Sequence, residues 1–293
     1  MKTYNTIAIA YPAVIVDYVK LLKPELTFLS VLTAIGSTYL AMRGSVHYQL
    51  LIHTFVGTTL VGGAAGVLNQ YIERRYDGLM KRTERRPLPA GHIQPASALL
   101  FGVILALSGI LYLTLSANII AGALATLTLL VYLFLYTPLK RQTPFATVIG
   151  GIPGALPPLI GWAVVRGTVS IEAWSLFFIL FFWQMPHFLS LAWMYRKDYA
   201  RAGYQLLVVS DPTGNITGRQ ILIYCCALVP ASLMPTVIGF AGYIYFVGAL
   251  LLSTSFLLTG LFFRRQHSAL AAQRVFYSSL IFLSLLFVLL MLA

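Results

Sequence analysis

The sequence predicts an all-α fold, a polytopic membrane bundle of nine transmembrane helices with the N-terminus cytoplasmic and the C-terminus on the opposite side. Three observations predict it. Of 293 residues, 59% are hydrophobic and only 10% are charged, against about 25% charged in an average soluble domain. Lipid must therefore be the solvent for much of the apolar surface. Nine apolar stretches are each long enough to cross about 30 Å of hydrocarbon at about 1.5 Å per residue. Lysine and arginine, finally, gather on alternate connections between those stretches.

Taken in order, residues 5–16 are apolar enough to resemble a short secretory h-region. Asp17, Lys20 and Lys23 follow, with no small-residue cleavage site, so an uncleaved interfacial helix leading into the first span is expected. The spans fall near 26–42, 49–71, 97–115, 117–136, 146–166, 174–194, 220–240, 242–263 and 275–292. Spans three and four share a tight turn near Ser116, and seven and eight share one near Gly242, so both pairs read as helical hairpins.

The N-terminus and the 2–3, 4–5, 6–7 and 8–9 connections carry 18 of the 20 lysines and arginines; Arg43 and Arg166 alone lie on the other side. By the positive-inside rule that basic side is cytoplasmic, or the matrix side in an organelle. In a bacterium the expected location is the inner (plasma) membrane, multi-pass, with the active face toward the cytoplasm. The formal charge of +12 would suggest nucleic acid in a soluble chain. Here it fits loops facing anionic membrane lipid or an anionic substrate, and no nucleic-acid partner is expected. Cys225 and Cys226 are helix neighbours that cannot bridge each other.

Acids are as unevenly placed as cations. Five of the eight lie in or beside the 2–3 and 6–7 connections: Glu73, Asp77, Glu84, Asp198 and Asp211. Both connections follow an even-numbered span, four spans apart. With Lys23-Pro24 opening the first span and Thr143-Pro144 the fifth, this suggests one domain over 1–293 built from a repeat, helices 1–4 and 5–8, plus a ninth helix.

The most informative stretch runs from Asn69 to Gly91. Asn69, Glu73 and Asp77 stand at i, i+4 and i+8, which on a helix puts all three on one face. They rise about 12 Å, enough to span a diphosphate with more than one ion. Oxygen donors without His or Cys suit Mg2+. Arg82 and Arg86 follow one turn apart, where they could meet phosphate oxygens. A plain positive-inside loop would explain the arginines but not an acid ladder at the end of a membrane helix, where acids are costly and usually functional.

The 6–7 connection supplies Lys197, Asp198 and Arg201. Alone it reads as a solvated loop; on the same face as the ladder, Asp198 becomes a candidate second metal ligand. Lys140 and Arg141 in the 4–5 connection fit phosphate binding and the positive-inside rule equally. In the sixth span Trp183, Gln184, Pro186 and His187 form a mixed polar and aromatic patch. His187 reads either as bonded to a neighbouring helix or as a ligand or proton-handling group for a bound substrate. The run Gly150 to Trp162, with Pro153, Pro157 and Pro158, predicts close helix approach and a kink.

The Asn-x-x-x-acid-x-x-x-Asp ladder, with an acidic loop after the sixth helix, resembles the UbiA-type intramembrane prenyltransferase superfamily. Met80-x-Arg82-Thr83-x-x-Arg86-Pro87, Lys140-Arg141-x-Thr143-Pro144, the Gly150 to Trp162 run, Trp183 to Phe188 and Lys197-Asp198-Tyr199 are similar to its heme-farnesylating branch, in order, from about residue 20 to 212. The last three spans match in hydrophobicity only. The resemblance implies a nine-helix bundle with a cytoplasm-facing cavity, farnesyl diphosphate as donor, Mg2+ as cofactor and heme B as acceptor. It implies that Asn69, Glu73, Asp77 and Asp198 hold the metal-diphosphate and act catalytically. Arg82, Arg86, Lys140 and Lys197 would neutralise the diphosphate, and His187 would touch the heme. Terminal-oxidase assembly or heme-modifying proteins are the implied partners. Two positions depart from the family: Arg75 stands where an Asp is usual, and Ala146 where an Asn is usual. Other expectations compatible with the spans are a UbiA-type enzyme using an aromatic or quinone precursor, and a transporter of an anionic amphiphile. Met194 and Ala202, flanking Asp198 at four-residue spacing, leave no second acid for the former. The latter has no need of acids clustered at one face.

Overall fold

In the computed structural model, residues 7–292 are described, with side-chain surroundings from Val14 onward; the first two residues of the 5–16 stretch lie outside the described residues. Helix is the only regular structure there. A leading helix α1 (Ile7–Leu21) precedes α2 (Pro24–Met42), α3 (Tyr48–Asp77), α4 (Pro95–Ser116) and α5 (Ile119–Leu130). The fourth span continues as a π-helical segment, Val131–Tyr136, and a short α6 (Thr137–Leu139). The fifth is α7 (Ala146–Ala155) with α8 (Pro157–Arg166), and the sixth is α9 (Ile171–Met194). Short helices α10 (Arg196–Arg201) and α11 (Leu207–Ser210) lead to α12 (Asn215–Val237), α13 (Tyr243–Gln266) and α14 (Ala269–Leu292). Nine of these stretches are long and apolar enough to cross a membrane.

Successive spans pack side by side, and α14 returns to touch α2, closing a ring. The fifth and sixth spans, α7–α8 and α9, are 72% and 67% buried, against 28–44% for the others, so they form the interior wall. Exposed Leu107, Leu115, Phe134, Leu251, Leu258 and Ile281 lie on the outer spans, as lipid-facing residues should.

Three places show how the sequence shapes the bundle. Pro157 cannot donate to the preceding turn, so the fifth span breaks at Leu156, as the proline run predicts. Neighbouring helices bond to carbonyls on either side of the break: Ser37 Oγ donates to the Pro158 carbonyl at 2.7 Å, and Gln184 Nε2 donates to the Gly151 carbonyl at 2.7 Å. Gly161 lets α8 lie directly on α2; a Cβ there would collide with the Ala34 carbonyl oxygen. In the fourth span Pro138 removes one donor and crowds the carbonyl four residues back. The helix widens into π geometry, with the Thr137 amide donating to the Tyr132 carbonyl. This π segment lies inside what the apolar pattern reads as an ordinary helix end.

Span limits differ most at the C-terminal side. The last helix begins at Ala269 rather than 275, and the 8–9 connection is only His267 and Ser268. Arg264, Arg265 and Arg274 therefore sit on helices instead of in a loop, because helical hydrogen bonding continues past the point where apolarity stops. Likewise α3 runs six residues beyond the apolar limit at 71, which carries the whole ladder on helix.

Candidate functional site

Helix α3 ends with Asn69, Glu73 and Asp77 stacked on its inner face and buried, at 1%, 7% and 1% exposure. Burial of this much carboxylate requires partners, and each residue has one from a different part of the chain. Lys23 Nζ donates to Asn69 Oδ1 at 2.7 Å. Lys140 Nζ lies 2.7 Å from Glu73 Oε1, which also accepts from the Tyr204 hydroxyl at 3.1 Å. Asn69 Nδ2 donates to Glu73 Oε2 at 2.9 Å and to Thr137 Oγ1 at 3.2 Å. One guanidinium nitrogen of Arg86 straddles the Asp77 carboxylate, 2.9 and 2.8 Å from its two oxygens.

Local structure explains how those partners arrive. The π segment turns Thr137 and Lys140 toward α3. After α3, Thr83 Oγ1 donates to the Asp77 carbonyl at 2.8 Å and folds the chain back, returning Arg86 to the helix end. Lys23 adopts left-handed backbone geometry, φ 48° and ψ 61°, a conformation uncommon for a non-glycine residue. It hands the chain from α1 to Pro24 of α2 and aims its ammonium inward. Burial, reinforced by the nearby Arg86 charge, pushes the Lys23 ammonium down to about 7. For Lys140 burial also disfavours the charge, but Glu73 together with Tyr136, Tyr132 and Tyr204 outweighs it and holds this ammonium above its usual range. The Tyr204 phenol is pushed up by burial and by the facing Glu73 carboxylate.

The 6–7 connection meets the ladder through aromatic groups more than through its acid. Asp198, on α10, pairs with Arg201 at 3.4 Å and has no hydrogen bond to the ladder among the described residues. Its neighbour Lys197 lines a shallow cleft of about 310 Å³ with Met194, Tyr195, Arg196 and Asp198. Tyr204 reaches Glu73, while Arg82 donates to the Tyr199 hydroxyl at 3.3 Å and lies over the Tyr195 ring at 5.1 Å. Arg82 therefore bridges the 2–3 and 6–7 connections.

His187 stands apart, in the middle of α9. Its ring is stacked between Trp183 and Phe276, with centroids at 5.1 and 4.7 Å, and Nδ1 lies 2.7 Å from Ser279 Oγ on α14. Ser279 Oγ donates to the Phe276 carbonyl. Nδ1–H is then the donor to Ser279, and Nε2 carries the free lone pair. The bond to a neighbouring helix is thus present, and it leaves one ring nitrogen for a ligand.

Arg75 projects from the opposite side of α3, exposed, and does not enter the ladder. It borders a cavity of about 410 Å³ with Arg74, Arg141, Glu73 and Thr137. Ala146 is fully buried at the start of α7. Lys23, Thr137 and Tyr204 are the site residues that motif reading passes over. Only Lys23 leaves a trace, as a cation directly before the proline that opens a span.

A model of the UbiA prenyltransferase family matches residues 30–286. A protoheme IX farnesyltransferase of Solibacter usitatus (strain Ellin6076) is 44% identical over 285 residues, 94% of this chain and 98% of that protein. Another, from Salinibacter ruber (strain DSM 13855 / M31), is 42% identical over 267 residues, 91% and 94% of the two chains. Among solved structures, one of a digeranylgeranylglyceryl phosphate synthase aligns with a TM-score of 0.81 at 16% identity, over 96% of this chain and 98% of that one. A UbiA homologue from Archaeoglobus fulgidus bound to DMAPP and Mg2+ aligns at 0.66 and 15% identity, over 94% and 99%. At such identities the structural likeness concerns the fold alone.

Proposed function

The chain belongs to the UbiA prenyltransferase family, and from that premise we propose that it transfers a farnesyl group from farnesyl diphosphate to a vinyl group of heme B, giving heme O and diphosphate. The observation that carries the donor half is the oxygen ladder of α3, held among cations from three other segments. Support for the acceptor half is near full-length similarity to proteins named protoheme IX farnesyltransferase, over 94% and 91% of this chain in the two cases above.

In this reading Asn69, Glu73, Asp77 and Asp198 would hold Mg2+ and diphosphate. The donor set fits the ion: carboxylate and amide oxygens, three on one face of α3 and the fourth, Asp198, on α10, with neither imidazole nor thiolate among them. Bound there, Mg2+ would stabilise charge on the departing diphosphate. Arg86 and Lys140 move from their carboxylates to phosphate oxygens, and Arg82 and Lys197 close from the two loops. As the C1–O bond of the donor breaks, the electron pair leaves with the diphosphate. The terminal vinyl carbon of the heme bonds to C1. The adjacent carbon, now electron-deficient, takes up water and releases a proton, which yields the hydroxyethyl-farnesyl side chain. His187 contacts the heme through Nε2. The basic face is cytoplasmic, so the donor enters from the inner side of the plasma membrane.

Membranes containing the protein, supplied with farnesyl diphosphate, Mg2+ and heme B, should accumulate a more hydrophobic heme on reversed-phase chromatography. Asp77→Asn should abolish this while the protein still inserts and elutes as a folded species. Unmodified heme B alongside consumption of another prenyl acceptor would overturn the acceptor. Full Mg2+-dependent turnover in Asp77→Asn would overturn the ladder.

A further inference from the structure

The cavity bordered by Arg75 is lined by Ile72, Glu73, Arg74, Tyr76, Thr137, Pro138 and Arg141 as well. It lies between the end of α3 and the end of the fourth span, where two of the candidate membrane spans finish. Three arginines line it. Its one acid, Glu73, is already neutralised by Lys140 at 2.7 Å. Arg141 lies flat on the Tyr76 ring at 3.9 Å and Arg74 on the Tyr71 ring at 4.4 Å, with Arg74 also donating to the Tyr71 carbonyl. Stacking fixes the plane of a guanidinium and leaves its N–H edge available. Arg75 has no hydrogen bond or ion pair among the described residues. Two of its lining residues, Ile72 and Pro138, are apolar, and Ile72 is 40% exposed.

A concentration of unneutralised arginines at an interface, with an apolar rim, matches an oxyanion that is either carried on a lipid or passing from the site to water. We propose that this cavity, which borders the ladder at Glu73, is a second oxyanion site in which Arg75 and Arg141, with Arg74 beside them, bind a phosphate group. Its source is the headgroup of an anionic phospholipid reaching in past Ile72, or free diphosphate on the aqueous side. The site does not depend on which acceptor the protein prenylates.

Two binding measurements on the purified full-length protein separate the sources. One is native mass spectrometry after equilibration with phosphatidylglycerol against phosphatidylcholine. The other is calorimetric titration with sodium diphosphate in the absence of divalent ions. The double variant Arg75→Ala/Arg141→Ala should weaken binding at least about tenfold in one or both arms, as expected when charge-assisted hydrogen bonds are lost. Arg219→Ala/Arg265→Ala removes as much charge elsewhere on exposed positions and should bind as the parent does. Loss in the lipid arm identifies a headgroup site; loss in the diphosphate arm identifies a free-anion site. Equal binding by parent and Arg75→Ala/Arg141→Ala in both arms overturns the proposal. So does equal weakening in the two double variants. Should the first double variant fail to fold, Arg75→Glu alone, on an exposed position, is expected to give the same direction of change.

Discussion

Asp211 shows how a single buried carboxylate can organise a helix start. It is 3% exposed, and its oxygens accept from the backbone amides of Gly214 at 3.1 Å and Thr217 at 2.7 Å and from the Thr213 hydroxyl at 3.1 Å. These satisfy donors that α12 would otherwise leave unpaired at its N-terminus. Burial works to raise its pKa, but the donated hydrogen bonds prevail and hold it below the usual 3.8. Because the folded-state value is the lower one, the stabilisation is complete above the unfolded value. It is lost as pH falls through the folded value, below about 4. Asp211→Ala should destabilise the protein by about 1 kcal/mol at neutral pH, read as thermal unfolding in detergent, and the deficit should vanish under strongly acidic conditions. An undiminished deficit at low pH would show that the carboxylate charge is not what caps α12. In the sequence Asp211 is one more acid of the 6–7 connection, grouped with Asp198. Only the fold shows that the two do different things, because a cap is defined by backbone amides that no side-chain pattern displays.

At the scale of elements, the decisive contacts are those that bring main chains together. Gly161 of α8 faces the Ala34 carbonyl of α2, and Thr38 Oγ1 donates to the Gly161 carbonyl at 3.1 Å across the same seam. Gly161→Val would wedge the two helices apart at cost of about 1–3 kcal/mol, visible as a lower unfolding temperature. A variant as stable as the parent would show that the seam tolerates separation. The run of small residues and prolines around Gly161 marks such a seam in the sequence, since few other reasons place so many helix-breakers in an apolar span. Much of the ladder is equally legible, because i, i+4 and i+8 lie on one helix. Its partners are not. Lys23, Lys140 and Tyr204 lie 46 to 131 residues from the side chains they meet. No local period links them, and the π segment that aims Thr137 follows from Pro138 crowding a carbonyl rather than from any hydrophobic pattern.

The whole molecule is a ring of spans, the fifth and sixth the most buried, with most of its charges at one end. Residue counts alone predict which end faces the cytoplasm, and labelling can test it. In a Cys225→Ala/Cys226→Ala background, Thr168→Cys lies at the far end and Glu84→Cys at the basic end, both exposed. A membrane-impermeant maleimide should label Thr168→Cys in intact bacterial cells and Glu84→Cys only after lysis. The reverse pattern would invert the orientation. The number of spans was readable from apolar length because lipid imposes one requirement on all of them. Their arrangement was not, since a ring closed by α14 on α2 depends on contacts that composition does not encode.

The cations that clasp the ladder also set what the site can admit. Asp77 is matched by Arg86 and Glu73 by Lys140, while Asn69 bears no charge and burial pushes its partner Lys23 down to about 7. A lone divalent ion approaching this end of α3 therefore meets no net negative field, and a lone polyanion finds the positive groups already engaged. Under the proposed function, an ion arriving together with its polyanion would exchange with both halves at once, each carboxylate taking the metal as its former partner takes an oxygen. Selection at such a site acts on the pair as a unit, and binding of either member alone should be far weaker than binding of the two together.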